Sequence, residues 1–113
     1  MIKKLQDRTE TVVEHLVNGE GSVKMSNIFS QEELAKTRIC SVLTLEPGCS
    51  VGVHPHVGEG EIYLILEGSA TVQEDGVDYI LNEGDAEYCT DGHTHAIVNH
   101  TDKPMKFLAI VIL

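Results

Sequence analysis

The 113-residue sequence has no tryptophan and few other aromatics: three tyrosines and two phenylalanines. Between residues 39 and 102 it also has no lysine or arginine, while the same stretch holds twelve acidic residues and five of the six histidines. A nucleic-acid footprint or an anionic-membrane surface needs clustered basic side chains, so neither partner is expected. There is no Gly-x-x-x-x-Gly-Lys run, which excludes a P-loop phosphate site. The longest uninterrupted apolar run, residues 107–113, is too short to span a bilayer. Lys3 and Lys4 lead into polar residues rather than an apolar segment, so no signal peptide is read. The three cysteines, Cys40, Cys49 and Cys89, form no C-x-x-C and cannot all pair within one chain, and a reducing cytoplasm is the expected compartment.

What is present reads as strands and turns. A formal charge of −10 and an apolar fraction of 42% suit one soluble domain with a real core. From residue 48 onward, glycines punctuate short runs of Val, Ile, Leu, Tyr and Thr, the pattern of an all-β sandwich or barrel. Strands are predicted at 10–13, 39–45, 52–56, 62–67, 69–74, 77–81, 86–89, 95–99 and 106–111. Glu74-Asp75-Gly76 is a strong turn signal. Ser30 and Glu33 have capping-box spacing, so one short helical turn is possible at 30–35, with a loop as the alternative. Residues 14–30 are polar and less patterned and read as a leader lying on the β body.

The sharpest local feature is His54-Pro55-His56. In an extended chain residues i and i+2 share a face, so both imidazoles project together. Glu61 follows after a glycine-containing turn, and His95 opens a later strand. Two histidines and one carboxylate make a facial metal-binding set with open positions, and a third imidazole enlarges it to four protein ligands. Spacing alone leaves an ordinary surface histidine pair equally open, because it does not establish that the four side chains converge.

The run from Gly48 through His54, His56 and Glu61 to Gly68 resembles the first motif of the cupins at every defined position. The run from Gly84 through Gly92 and His95 to Asn99 resembles the second, with Thr90 where the family usually has proline. Fifteen residues separate the two motifs, the compact spacing of small microbial cupins, and together they cover residues 48–99. The resemblance implies an all-β cupin-type β-barrel (a double-stranded β-helix or jelly roll, RmlC-like). Residues 1–35 would form a leader strand and loop packing on the barrel, and residues 36–113 the barrel itself. It implies His54, His56, Glu61 and His95 as ligands of one divalent transition metal, with Fe, Mn, Zn, Ni and Co all compatible. It also implies a homodimer.

Around that set, Tyr63 and Ile65 share the strand parity of Glu61. Tyr63 is therefore a candidate to donate a hydrogen bond to a bound oxygen, with a plain core tyrosine as the alternative. His93, two residues before His95, is read as a rim residue and a second candidate for orienting substrate. Arg38 is the basic side chain best suited to clamp a carboxylate, with Lys103 and Lys106 as other cations and a surface role as its alternative. The functional expectation is a small metalloenzyme of the dioxygenase or decarboxylase class, acting on a small organic acid or enolisable compound. The competing expectation is a non-catalytic module that holds or senses a small, anionic, metal-chelating ligand. Phosphosugar isomerisation is less attractive, because residues 39–102 offer no basic side chain for phosphate.

Overall fold

A computed structural model describes residues 1–113. Ten strands follow in chain order: β1 (Thr9–Glu14), β2 (Ser22–Asn27), β3 (Thr37–Leu45), β4 (Ser50–Pro55), β5 (Gly60–Glu67), β6 (Ser69–Glu74), β7 (Val77–Asn82), β8 (Ala86–Cys89), β9 (Thr94–Val98) and β10 (Met105–Ile112). They form a six-stranded sheet ordered β1-β2-β3-β10-β5-β8 and a four-stranded sheet ordered β4-β9-β6-β7, with every pairing antiparallel. Two sheets facing each other across one core make the jelly-roll architecture that the resemblance implies, in keeping with the sandwich or barrel read from the glycine-punctuated strands.

The core follows from strand alternation. In β10, Met105, Phe107, Ala109 and Val111 point inward and are fully buried, and the strand lies between β3 and β5. Its two hydrogen-bonded neighbours explain how the terminal apolar run is covered within the chain. In β5, Glu61, Tyr63 and Ile65 are buried, whereas Ile62 and Leu64 are only half-buried. The apolar run Ile62-Tyr63-Leu64-Ile65-Leu66 thus has one buried face and one partly covered face that ends on the exposed Leu66.

Residues 14–30 contribute more order than their pattern suggested. They include β2, which pairs with β1 and β3 and places Val23 fully in the core. The polar alternation of Ser22-Val23-Lys24 hid a strand with one strong inward position. Ser30 and Glu33 do form reciprocal hydrogen bonds between backbone N–H and side chain, at 3.0 and 3.2 Å. No helix follows them, only turns, because no apolar periodicity continues the first turn.

Two irregularities aim side chains at the site. Along β3 and β10, Val111 opposes Ile39 while Ile112 opposes Thr37, so Arg38 is the extra residue of a bulge. On β4 and β9, Val51 opposes Ile97 while His54 opposes His95, so Gly52-Val53 carries another extra residue. A bulge resets alternation, which is why Val51 and His54 both face inward three residues apart while Val53 lies outside.

Candidate metal centre

His54 sits on β4 directly across from His95 on β9 in the four-stranded sheet. Glu61 comes from β5 of the opposite sheet, and His56 lies just beyond the end of β4. The cluster therefore bridges the two layers, and all four residues predicted as ligands meet there. His56 Nε2 lies 3.0 Å from Glu61 Oε1 and 3.1 Å from His95 Nε2. His95 Nε2 lies 2.9 Å from the same Glu61 oxygen and 3.1 Å from His54 Nε2. His54 is more distant from the carboxylate, at 3.6 Å.

The donor chemistry fits a cation. Adjacent donors around a six-coordinate ion with bonds of about 2.1 Å stand about 3 Å apart, close to the observed spacings. Each imidazole is held by its other nitrogen. His54 Nδ1 donates to Gly52 O at 2.7 Å, His56 Nδ1 to Glu59 Oε1 at 2.9 Å, and His95 Nδ1 to Glu87 Oε1 at 2.8 Å. A proton fixed at Nδ1 leaves each Nε2 to act as a metal donor. Glu59, Glu61 and Glu87 against the single guanidinium of Arg38, bonded to Glu59 at 2.6 and 3.1 Å, leave two negative charges for a divalent ion to neutralise.

Titration behaviour points the same way. Burial raises the Glu61 carboxyl, but hydrogen bonds from His54 and His95 and the positive charge of His95 and His56 outweigh it and bring the pKa down to about 2. Burial lowers His95, but its bonds to Glu61 and Glu87 dominate and lift it to about 9. A carboxylate at each ring nitrogen makes His95 hold a proton where an ion would bind. A second grouping, Glu87, Cys89 and His95, is also close enough to hold metal. There the Cys89 thiol is pushed up to about 12 by burial and by the surrounding carboxylates. A thiol that stays protonated is a poor ligand, so the three-histidine set is the better centre.

The cluster opens onto a cavity of about 140 Å3. Leu16, Val17, Met25, Ile39, Leu43 and Val51 give it apolar walls, and Tyr63 and Ala109 complete it beside the cluster. Arg38 is the only basic residue lining it, and only Arg38 and Val17 among the lining residues are exposed, so they mark its mouth. Tyr63 is almost fully buried and stacks on His95 with ring centroids 4.5 Å apart. Burial and the neighbouring Glu61 charge raise its phenol well above the ordinary value, so it stays protonated. Lys106 is exposed and, like Lys103, does not line this cavity.

His93 is placed elsewhere. Its ring is half-exposed, pairs with Asp75 at 2.5 Å and does not line the cavity. Parity near a strand start placed His93 with His95, but the Asp75 turn captures its side chain. The sequence pattern did not single out Glu59 and Glu87, which hold His56 and His95 at their outer nitrogens. Parity carried a signal for both: Glu59 lies two residues before Glu61, and Glu87 two before the buried Cys89.

A family model described as "Cupin domain" matches residues 41–111. The chain is 34% identical over 114 residues to an oxalate-binding protein of Thermotoga maritima, covering all of this chain and 94% of that protein. A crystal structure of a predicted oxalate decarboxylase from Thermotoga maritima superimposes with a TM-score of 0.95 at 34% identity, covering 100% of this chain and 99% of that one. A sugar phosphate isomerase from Silicibacter pomeroyi matches at 23% identity with a TM-score of 0.73, over 80% of this chain and 59% of its own, a likeness of fold alone.

Proposed function

Because the chain belongs to the cupin domain family, we propose that it is a metal-dependent protein acting on a small dicarboxylate of the oxalate class, with decarboxylation as its reaction. The observation that carries this reading is one small cavity lined by His54, His56 and Glu61, which form a single donor cluster with His95, and by Arg38 at its mouth. A volume of about 140 Å3 lies well below the roughly 300–1,000 Å3 of sites for drug-sized ligands. Two anionic groups a few bonds apart match one positive centre inside and one outside. The names of the Thermotoga maritima relatives support oxalate as the first candidate. Between the two reaction classes expected from the sequence, they favour decarboxylase over dioxygenase.

A divalent ion bound by the three histidines and Glu61 would supply Lewis acidity toward a carboxylate oxygen. The chain's own residues do the rest. Arg38 orients the second carboxylate, and the apolar walls exclude water from the breaking carbon–carbon bond. When carbon dioxide leaves, its bonding pair stays on the remaining carbon, and a proton must arrive there to give formate. Tyr63 is the protonated group beside the cluster that could deliver it. That phenol is a weak acid, which favours a second reading: the protein holds the dicarboxylate without turning it over.

Association of two copies belongs to the same proposal. β1 exposes residues on both faces, and Met1, Ile2, Leu5 and Val12 are largely exposed apolar side chains at that edge. Light scattering that reports a stable monomer at micromolar concentration would count against it.

The functional test is incubation of metal-reconstituted protein with oxalate and malonate, reading formate, acetate and carbon dioxide. Formate from oxalate is the expected result. Binding without product selects the second reading, and absence of binding overturns both.

A further inference from the structure

Residues 15–19 form a strap across β4. His15, Val17 and Asn18 all have left-handed backbone, with φ of 50°, 45° and 61°. For a β-branched residue such as Val17 this conformation is a true outlier, so something must hold it. The strap is pinned on every side. His15 N–H donates to Gly21 O at 2.9 Å, Asn18 N–H to His15 O at 3.0 Å, and Gly19 N–H to Leu16 O at 2.9 Å. The His15 ring nitrogen Nδ1 donates to Gly19 O at 3.0 Å. Ser50 on β4 closes the set: its N–H donates to Glu20 O at 2.9 Å, and its hydroxyl oxygen accepts from Glu20 N–H at 2.8 Å.

The strap and β4 touch backbone to backbone. A Cβ at Gly52 would meet Val17 O, and one at Gly19 would meet Ser50 O, in both cases far inside contact distance. Gly52 thus leaves room for the Val17 carbonyl, while its own carbonyl accepts from His54 Nδ1. Held this way, Leu16 and Val17 line the cavity that contains His54, His56 and Glu61. Val17 keeps 42% of its surface exposed. Fold stability gives little reason to force an exposed valine into left-handed backbone. Its position as the apolar residue at the mouth, with Arg38 the polar one, gives a functional reason.

We infer that the strap, through Val17 with Leu16 behind it, is the size filter of the site: it limits the carboxylate ligand to a few carbon atoms. The inference rests on the proposed carboxylate-binding function and adds the residues that set chain length. Replacing Val17 by glycine separates the filter from a purely structural role. Glycine adopts φ near +45° freely, so the variant should melt no lower than the wild type while opening the mouth.

The test uses cobalt(II)-loaded protein, whose visible absorption responds to ligands on the ion. Wild type, Val17→Gly and Leu16→Ala are titrated with formate, acetate and butanoate, and with oxalate, malonate and succinate. Leu16→Ala enlarges the same wall without touching the left-handed residues, in case the first variant disturbs the strap. The expected result is at least a tenfold gain for butanoate relative to formate, and for succinate relative to oxalate, with formate and oxalate changed less than threefold. Equal ratios in all three proteins overturn the size filter. Wild type that binds formate but no diacid removes the dicarboxylate reading, while the formate-to-butanoate ratio still decides the filter. Wild type that binds none of these anions overturns both.

Discussion

Glu87 donates nothing to the metal cluster, yet it accepts the His95 Nδ1 proton at 2.8 Å while its second oxygen is buried without a hydrogen-bond partner. Glu59, which does the same for His56, is neutralised by Arg38, whereas no lysine or arginine pairs with Glu87. The partial burial of Glu74 and the Glu87 charge beside it hold Glu74 above the usual carboxylate range. An uncompensated carboxylate behind a metal-binding imidazole makes that ring a stronger donor.

Glu87→Gln keeps an acceptor for His95 and removes the charge. Metal affinity should fall about 10- to 100-fold with the fold retained, measured by competition with a chromophoric chelator alongside a thermal melt. Unchanged affinity would show that the Glu87 charge does not reach the ion.

Metal uptake should release a proton. His95 is lifted to about 9 and is protonated below that pH, whereas Glu61, lowered to about 2, is already ionised. An ion must therefore displace the His95 proton at neutral pH. Affinity should rise about tenfold per pH unit up to about pH 9 and then level off. Calorimetry in buffers of different ionisation enthalpy counts the protons; a value near zero at pH 7 would contradict the assignment.

Removing the metal should expose the same linkage in stability. The raised His95 value stabilises the metal-free fold fully below its unfolded value of about 6.5, and the gain is lost as pH climbs through about 9. The lowered Glu61 value stabilises it above about 4.3, with loss as pH falls toward about 2. Melting of metal-free protein should peak between these limits. In loaded protein the alkaline decline should disappear over the same range, because the ion replaces the proton, and an identical decline in both forms would argue against it.

Arg38→Gln should weaken oxalate binding to metal-loaded protein by about 10- to 100-fold, the range for a lost charge-assisted bond. Formate, which lacks a second carboxylate, should lose much less. A uniform loss for both anions would mean that Arg38 acts through Glu59 and His56 rather than on the ligand.

Tyr63→Phe keeps the ring that stacks on His95 and meets Phe107 edge-on at 4.8 Å. If decarboxylation is the reaction, formate production should fall by at least about 100-fold, with oxalate affinity changed less than threefold. Retained turnover would leave the tyrosine as core packing and place the proton source elsewhere.

The local pattern alone determined most of the strands, while the ligand set came from the resemblance of two spaced motifs to those of the cupins. Alternation at 105–112 and turn residues such as Glu74-Asp75-Gly76 are short-range signals, and His-x-His with Glu61 and His95 sits in motifs with defined spacing. Tertiary structure decided what those signals leave out. The β2 strand carries one strong inward residue, Val23, and only pairing with β3 makes it a strand. Glu87 looks like a rim acid until the two sheets bring it against His95, and Glu59 does so until the turn after His56 folds it back onto that ring. His93 shares parity with His95 but is captured by Asp75, an exposed neighbour from another turn. The strap reaches the cavity because Gly52, far along the chain, lacks a side chain that would block the Val17 carbonyl. Periodicity is a property of neighbours in sequence. Convergence of charges and close approach of backbones depend on residues distant in the chain, and packing the two sheets supplies them.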